Sequence, residues 1–248
     1  MSSEQRFFVA PSAIENGTVR FSREQAHQMA AVLRLAAGTQ VVALDNSGWE
    51  YRVKLSRVGG GEAVGSVTAR SLVNTEPRTK ITLYVGLIRG PKLEVVLQKC
   101  TELGVVAFVP VVSQRCVVGQ ADELSPSRLE RWQRILVEAA EQSGRGKLPI
   151  LHPAVPFEQA CDGVRGLSLL LWEGESEASL RAALRSPTRG AFSLNLFVGP
   201  EGGFTPHEAE RARAAGIAPV TLGPRILRAE TASIAAVSAI LFAQNDLG

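Results

Sequence analysis

The chain has 248 residues, of which 45% are hydrophobic and 21% are charged. This balance excludes an intrinsically disordered chain, and the length fits one large domain or two domains of ordinary size. The net charge of +3 permits a polyanionic partner but does not require one.

The first seventy residues read as a small β domain. Short alternating or β-branched runs predict strands at residues 6–9, 18–21, 40–45, 50–58 and 63–69. Asn16-Gly17 and the three glycines at 59–61 supply turn signals between them. One helix interrupts the strands, from Ser22 to about Leu35, and begins with a capping box. Because short strands separated by turns are typical of a small β-barrel, we place such a domain at residues 1–72.

Residues 73–248 read as an α/β domain, entered through a polar linker. Apolar runs predict strands at residues 81–88, 105–112, 167–172, 194–198 and 219–222. Amphipathic patterns and caps predict helices over residues 93–103, after Ser125-Pro126, after Thr205-Pro206 and over residues 231–245. Continuous apolar strands suit a mostly parallel sheet that is covered on both faces.

Cysteine usage and apolar stretches indicate the compartment. Cys100, Cys116 and Cys161 have no CxxC spacing, so they predict reduced thiols and neither a disulfide framework nor a zinc site. The first six residues lack the apolar core of a signal peptide, and the apolar stretch at 234–243 is too short to span a bilayer. We therefore expect a cytoplasmic protein that uses no membrane and no metal.

Two glycine-containing loops near the end of the chain carry the functional signal. Residues 199–203 (Gly-Pro-Glu-Gly-Gly) and 223–228 (Gly-Pro-Arg-Ile-Leu-Arg) each follow a predicted buried strand. Glycine lets the backbone approach a ligand, and ligands of open α/β sheets bind at the carboxyl ends of strands. A single loop of this kind is readily explained as a tight turn. Two loops on neighbouring strands favour a cofactor pocket.

The common nucleotide and hydrolase sites are excluded by spacing. No GxGxxG follows a predicted strand, and the Gly-Arg-Gly-Lys at 144–147 lacks both the earlier glycine and the Ser or Thr of a P-loop. His27, His152 and His207 lie near no nucleophile elbow.

The two loops and their flanks resemble a known family. Residues 196–204 (LFVGPEGGF) and 222–232 (LGPRILRAETA) resemble the signature motifs of the RsmE family, which methylates N3 of a uridine in 16S ribosomal RNA and belongs to the SPOUT superfamily. Residues 98–105, 113–116, 138–145 and 246–248 are similar to its other blocks, as are His27 and residues 32–35. The resemblance covers nearly the whole chain.

This resemblance implies a fold, a cofactor and partners. It implies S-adenosylmethionine as methyl donor, a trefoil knot in the SPOUT-type domain, an obligate homodimer and a PUA-like barrel that helps to hold RNA. It also implies 16S ribosomal RNA as substrate, within the 30S subunit. The cofactor-binding residues implied by the motifs are Leu171, Trp172, Glu173, Phe197, Val198, Gly199, Pro200, Gly202, Leu222, Gly223, Ile226, Leu227, Thr231 and Ala232.

Methylation of uracil N3 defines the catalytic candidates. The N3 proton must be lost, and a cation near O2 or O4 would stabilise the developing anion, a role for which Arg228 is the candidate. The alternative is that Arg228 pairs with a carboxylate. Glu201 and Glu230 are the carboxylates nearest the motifs; Glu201 is retained as a catalytic candidate, although it could equally accept from a loop amide. No residue is assigned firmly as the base.

Basic side chains supply candidates for RNA contacts. His27 and Arg34 are seven apart on the predicted N-terminal helix and would share one face. The full set of predicted phosphate contacts is Arg6, His27, Arg34, Lys92, Lys99, Arg115 and Arg145. For each residue alone, a solvated charge or an internal ion pair is the competing interpretation.

Two rival functions remain open from the sequence. A knotted methyltransferase with another target, such as transfer RNA, would carry the same cofactor loops. An RNA-binding or ribosome-assembly factor could retain the fold without turnover, although a pure binder would not need both loops.

Overall fold

The computed structural model describes residues 4–116, 124–185 and 193–247. They form two compact units. The first, here the β unit, contains the chain up to Glu76 together with Val137–Leu148. The second, here the α/β unit, contains Pro77–Leu136 and the chain from Pro149 onward. The domain division after residue 72 stays a prediction; Gly248 of the closing motif lies outside the described residues.

The β unit is built on one curled six-stranded sheet. Its strands are β1 (Arg6–Phe8), β2 (Ile14–Glu15), β3 (Thr18–Arg20), β4 (Gln40–Leu44), β5 (Trp49–Gly59) and β6 (Glu62–Leu72). They lie in the order β1-β4-β5-β6-β3-β2, antiparallel except for the parallel pair of β1 and β4. Alternate residues such as Val41, Val53 and Leu55 are buried in one apolar core. The predicted small β domain is therefore present.

The helix of the β unit is shorter than its sequence pattern predicts. Helix α1 (Arg23–His27) begins at the Ser22 capping box and passes into a π-helical turn, Gln28–Val32. The Leu33 amide donates to the Gln28 carbonyl at 2.9 Å, one residue further back than in an α-helix. Arg34 then has φ of 52°, outside any right-handed helix. The prediction that His27 and Arg34 share one helix face is therefore wrong.

The α/β unit contains a parallel seven-stranded sheet. Its strands are β7 (Lys80–Gly86), β8 (Ala107–Val112), β9 (Ile150–Leu151), β10 (Val155–Pro156), β11 (Leu167–Leu171), β12 (Ser193–Val198) and β13 (Ala218–Val220). The path across the sheet is β10-β8-β7-β12-β11-β13, and β9 pairs with β8. Every pairing is parallel, as the continuous apolar runs predict.

Helices cover this sheet. They are α2 (Lys92–Leu103), α3 (Pro126–Gln142), α4 (Phe157–Gly163), α5 (Leu180–Arg185), α6 (Pro206–Ala214) and α7 (Ala229–Ala243). Apolar residues on both faces of the sheet are buried in two clusters, one containing Leu196 and Trp132 and the other containing Phe197 and Phe157. No helix within residues 4–116, 124–185 and 193–247 is long and apolar enough to cross a membrane.

One prediction about strand order needs correction. The two glycine loops follow β12 and β13, but these strands are not neighbours, because β11 pairs with both of them. Chain order does not determine the position of a strand in a parallel sheet, since each crossover can return to either side. As a consequence, the loop after β11 lies between the other two. The trefoil knot stays a prediction.

A buried carboxyl group joins the end of α3 to β1 within the β unit. The Glu141 side chain accepts a hydrogen bond from the Phe8 amide at 2.8 Å. Burial raises the pKa of this carboxyl to about 7, the Phe8 hydrogen bond opposes the rise, and the nearby Glu138 adds to it. Glu141 therefore titrates near neutral pH, where other carboxyl groups are fully ionised.

Glu141→Gln should remove a pH dependence of stability. The folded pKa of about 7 lies above the ordinary 4.5, so stabilisation is complete below about pH 4.5 and is lost as the pH rises through 7. We expect the Tm of the wild type to fall relative to that of Glu141→Gln between about pH 4.5 and 7, and the difference to level off by about pH 8, measured by circular dichroism. Glu130→Gln, at an exposed position of the same helix and not among the groups that shift the pKa of Glu141, is the matched control. Parallel Tm profiles for the wild type and Glu141→Gln would contradict this assignment.

Candidate functional site

A cavity of about 950 Å³ opens at the carboxyl ends of β11, β12 and β13 in the α/β unit. The loops that follow β11, β12 and β13, here called the first, second and third loops, form its walls, and α7 closes one side. The predicted cofactor residues that line it are Leu171, Trp172, Glu173, Val198, Gly199, Pro200, Leu222, Gly223, Ile226, Leu227 and Ala232. The structure thus brings most of the predicted set together around one space.

Three predicted cofactor residues are not among its lining residues. The Phe197 side chain is fully buried in the core and stacks on Tyr84, with ring centroids 4.3 Å apart. The Gly202 carbonyl accepts from the Arg115 guanidinium at 2.8 Å, and Thr231 is exposed on α7. Side chains alternate along a strand, so Phe197 points away from the sheet face that its neighbours present. A contact from its backbone remains a prediction.

Trp172 ties the first loop to the second. Its indole N–H donates to the Phe204 carbonyl at 3.2 Å, and its amide donates to the Val220 carbonyl at 3.1 Å. The Arg213 guanidinium lies over the indole ring, 5.4 Å from the centroid. These contacts fix the Trp172 ring at the wall of the cavity.

The second loop needs glycine where it approaches the first. Gly203 has φ of 67°, and a Cβ built there would lie 2.9 Å from a Glu173 carboxylate oxygen. At the start of the loop, Pro200 packs against β7 so closely that a Cβ on Gly86 would lie 2.5 Å from the Pro200 nitrogen. The glycines of this motif therefore have steric causes in the fold as well as the predicted proximity to a ligand.

The third loop is anchored to the first by main-chain bonds. The Thr221 amide donates to the Ala178 carbonyl at 2.8 Å, and the Leu180 amide donates to the Thr221 carbonyl at 3.0 Å. Gly223 turns the chain with φ of 106° and donates its amide to the Thr221 hydroxyl at 3.1 Å. The loop is therefore held at its first residues, while its tip is exposed, with Ile226 87% exposed.

Glu201 joins the second loop to the segment after β7. Its carboxylate accepts from Lys92 Nζ at 3.1 Å and from the Arg89 amide at 3.2 Å. Partial burial alone would raise the pKa of Glu201, but its own amide, Lys92 and the Arg89 amide hold that pKa below its usual value. A carboxylate with a lowered pKa is a weak proton acceptor, so these contacts favour a positioning role over that of a general base.

Arg228 stands at the start of α7 and lines the cavity. It is the N-cap residue of the helix, and its exposed side chain makes no hydrogen bond or ion pair with the residues that the structure describes. Among these residues, no carboxylate pairs with Arg228, which was the alternative interpretation of this side chain. Glu230, in the first turn, has a buried oxygen Oε2 without a described hydrogen-bond partner.

The predicted RNA contacts separate into exposed and internally paired residues. His27 and Arg34 are exposed, whereas Arg6 pairs with Glu50 at 2.9 Å and Lys99 with Glu102 at 2.9 Å. Lys92 and Arg115 contact the second loop.

Arg145 requires a correction. Arg145 is 2% exposed and pairs with Glu76 at 2.8 Å. Because a phosphate contact would require breaking this buried pair, the prediction for Arg145 is wrong.

The sequence reasoning missed several lining residues. They are Glu175, Ser176, Ser179, Val220, Thr221 and Ala229. Glu175, Ser176 and Ser179 extend the wall after β11 beyond the predicted residues; the signal was the polar run following the strand at 167–172. Among the described residues, no group of three or more His, Cys, Asp or Glu side chains is placed to hold a metal ion.

Comparison with known proteins decides the family. Residues 75–241 match the family described as the RNA methyltransferase domain. The chain is 37% identical to ribosomal RNA small subunit methyltransferase E of Synechocystis sp., covering 95% of this chain and 76% of the relative. It is 34% identical to the protein of the same name from Bacillus subtilis, covering 98% of each. The chain belongs to the ribosomal RNA small subunit methyltransferase E family.

A solved structure of this family agrees with the fold. Methyltransferase E of Neisseria gonorrhoeae, bound to S-adenosyl methionine, superposes with a TM-score of 0.85 at 31% identity, covering 96% of this chain and 97% of that one. The predicted fold class, a SPOUT-type mostly parallel sheet preceded by a small β domain, is thereby confirmed.

Glu201→Gln separates a positioning role from general-base catalysis in this methyltransferase. Glutamine keeps an acceptor for the Arg89 amide but loses the charge that faces Lys92. We expect methyl transfer to fall by less than about ten-fold, with its pH profile unchanged in shape.

Lys92→Gln is the matched variant, because it removes the other half of the same pair. The two losses should be non-additive in the double variant. A loss of about 10³-fold together with an altered pH profile for Glu201→Gln alone would instead make Glu201 the base.

Proposed function

We propose that this chain is an S-adenosylmethionine-dependent methyltransferase that methylates N3 of a uridine in 16S ribosomal RNA. The observation that carries the cofactor is the cavity of about 950 Å³ between three loops at the carboxyl ends of adjacent parallel strands. The Neisseria gonorrhoeae relative, bound to S-adenosyl methionine, supports the same cofactor here. The N3 position rests on the motif resemblance at residues 196–204 and 222–232.

The lining residues suit a nucleoside with a charged tail. Leu171, Val198, Leu222 and Leu227 offer apolar surface, and main-chain groups of the three loops lie beside them. Such a combination of apolar walls with a few polar groups is typical of small-molecule sites. S-adenosylmethionine supplies an activated methyl group on a sulfonium centre. The protein's part is then to place the acceptor nitrogen in line with that methyl group.

Arg228 is the residue that we assign to the uracil. Its guanidinium lines the cavity and has no described hydrogen-bond or ion-pair partner. Placed near O2 or O4, it stabilises the negative charge that develops when the N3 proton leaves. Solvent or a polar contact takes the proton, because Glu201 is already engaged by Lys92 and the Arg89 amide.

We also infer that the protein acts as a homodimer. The surface of α7 carries no charged side chain after Glu230, and Thr231, Ala235, Ala239 and Phe242 follow one another along its exposed side. Phe242 is 69% exposed. An uncharged helix face of this kind is typical of a subunit interface. The cytoplasm and the assembled 30S subunit, as the place and form of the substrate, are part of the same proposal.

Calorimetry and methyl-transfer assays test the proposal against its rivals. We expect saturable binding of S-adenosylmethionine, and its absence would favour an assembly factor without turnover. Labelled methyl transfer is expected on 16S ribosomal RNA or the 30S subunit. Transfer to transfer RNA alone would retain the enzyme class and overturn the substrate. Digestion of the product to nucleosides should give 3-methyluridine, and any other modified nucleoside would overturn the N3 assignment.

Arg228→Ala tests the assignment of the catalytic cation. We expect the rate of methyl transfer to fall by about 10²–10³-fold, as for the loss of one charge-stabilising donor. Affinity for S-adenosylmethionine should remain within about three-fold in calorimetry, since the cofactor is held by the loops. Arg225→Ala, a neighbouring cation of the same loop, is the matched control and should lose less than about ten-fold. Near-normal turnover of Arg228→Ala would remove this residue from the mechanism.

A further inference from the structure

The sheet of the β unit has two faces of opposite character. Val41, Val53 and Leu55 point into the core on the inner face. Because side chains alternate along a strand, their neighbours point to the other side, here called the outer face. The strand register places Gln40, Lys54, Ser66 and Thr18 in one row across the outer face. Adjacent rows are Arg6-Val42-Arg52-Ala69 and Arg57-Val64-Arg20. Val42 is buried, so the exposed part of the outer face lies mainly on β5, β6 and β3.

The outer face carries unneutralised positive charge. Arg20, Arg52 and Lys54 are exposed, and none makes a hydrogen bond or ion pair through its side chain with the described residues. The other two cations are paired, Arg6 with Glu50 and Arg57 with Glu62. Glu15, on the edge strand β2, is the remaining carboxylate of these rows and lies three strands from Lys54. The centre of the face is therefore cationic, although the chain as a whole is nearly balanced.

The spacing of these cations suits a phosphate backbone. Arg52 and Lys54 are two residues apart on β5, about 6.6 Å along the strand, so both can contact one nucleic-acid strand at successive phosphates. Gln40, Ser66 and Thr18 add uncharged donors in the row of Lys54. Hydroxyl and amide groups of this kind contact phosphate oxygens and ribose hydroxyls.

The composition of the outer face distinguishes helical RNA from single strands. The three rows that hold these cations contain no aromatic side chain. Tyr51 belongs to the inner face, and Trp49 stacks with Arg70. Binding of single-stranded RNA commonly uses bases stacked on aromatic rings, whereas helical RNA is held by contacts to phosphate and 2′-hydroxyl groups.

We infer that the outer face of the β unit docks the sugar–phosphate backbone of helical RNA, without reading its sequence, through Arg20, Arg52 and Lys54. This inference rests on the proposed function, since it gives the RNA substrate a contact with the β unit in addition to the one at the cofactor cavity of the α/β unit. It also differs from the sequence-based prediction for the β unit. His27 is the last residue of α1, and Ala26 of α1 and Met29 of the following turn pack into the core on the inner face, so His27 and Arg34 belong to the opposite side of the sheet.

The test is the salt dependence of RNA binding by an Arg52→Gln/Lys54→Gln double variant of the full chain. The probe is a duplex RNA of about 20 base pairs with a sequence unrelated to ribosomal RNA, since shape-specific recognition spans roughly this length. We expect affinity to fall by at least about ten-fold and the slope of log K against log salt to decrease by about two, one per phosphate contact. The double variant should lose affinity by the same factor for helical fragments of 16S ribosomal RNA as for the unrelated duplex.

Two control variants sharpen the result. Arg57→Gln removes a cation of the same face that already contacts Glu62, and should leave the salt slope close to that of the wild type. The His27→Gln/Arg34→Gln double variant removes the candidate RNA contacts on the opposite side of the sheet. Its salt slope should also stay close to that of the wild type. Calorimetry with S-adenosylmethionine and circular dichroism check that every variant retains its cofactor site and fold.

The outcomes are distinguishable from failure of the proposed function. Unchanged affinity and salt slope for the Arg52 and Lys54 double variant would overturn the inference, as would a loss confined to the His27 and Arg34 variant. Loss of binding to single-stranded RNA but not to duplex RNA would also overturn it. A wild type that binds duplex RNA through these cations yet transfers no methyl group would support the outer face and contradict the proposed methylation.

Discussion

Main-chain hydrogen bonds align the ends of three adjacent parallel strands, and the candidate site depends on this alignment. Leu171 of β11 pairs with Val198 of β12 and with Val220 of β13. The three strands therefore end at the same level of the sheet, and the main chain turns within a few residues after each of them. Their loops enclose the cavity and are cross-linked by the Trp172 indole and by the main chain at Thr221. A site built in this way is held at its base by main-chain hydrogen bonds, and the tip of the third loop is exposed.

Charge around the cavity is divided between structural and available groups. Glu201 and Lys92 satisfy each other, and Arg213 is committed to Glu175 and the Trp172 ring. Arg228 lacks such a described partner and lines the cavity. An unpaired guanidinium gains most from a developing negative charge, which makes Arg228 a candidate for the chemistry. By the same criterion, Arg52 and Lys54 of the β unit are candidates for RNA contacts, whereas Arg145, which is buried in a pair with Glu76, is not.

An RNA methyltransferase must bind a small cofactor and an RNA backbone, and the charges and shapes of the two units suit one of these tasks each. The α/β unit supplies a cavity of apolar and main-chain groups suited to a small cofactor and one base. The β unit supplies a sheet face whose exposed, unpaired cations suit the sugar–phosphate backbone, which is the same for every RNA sequence. Selection of the methylated base would then depend on RNA shape and on the accessibility of one base.

The sequence by itself determined most of the strands and longer helices, the parallel character of the second sheet and the family. Apolar runs, capping boxes and the motifs at 196–204 and 222–232 are contiguous signals that need no knowledge of distant contacts. Only the tertiary structure decided that β11 lies between β12 and β13, that α1 gives way to a π-helical turn before Arg34, and which cations remain free. Strand order and ion pairing depend on residues far apart in the chain, such as Arg145 and Glu76, whose proximity no local pattern encodes.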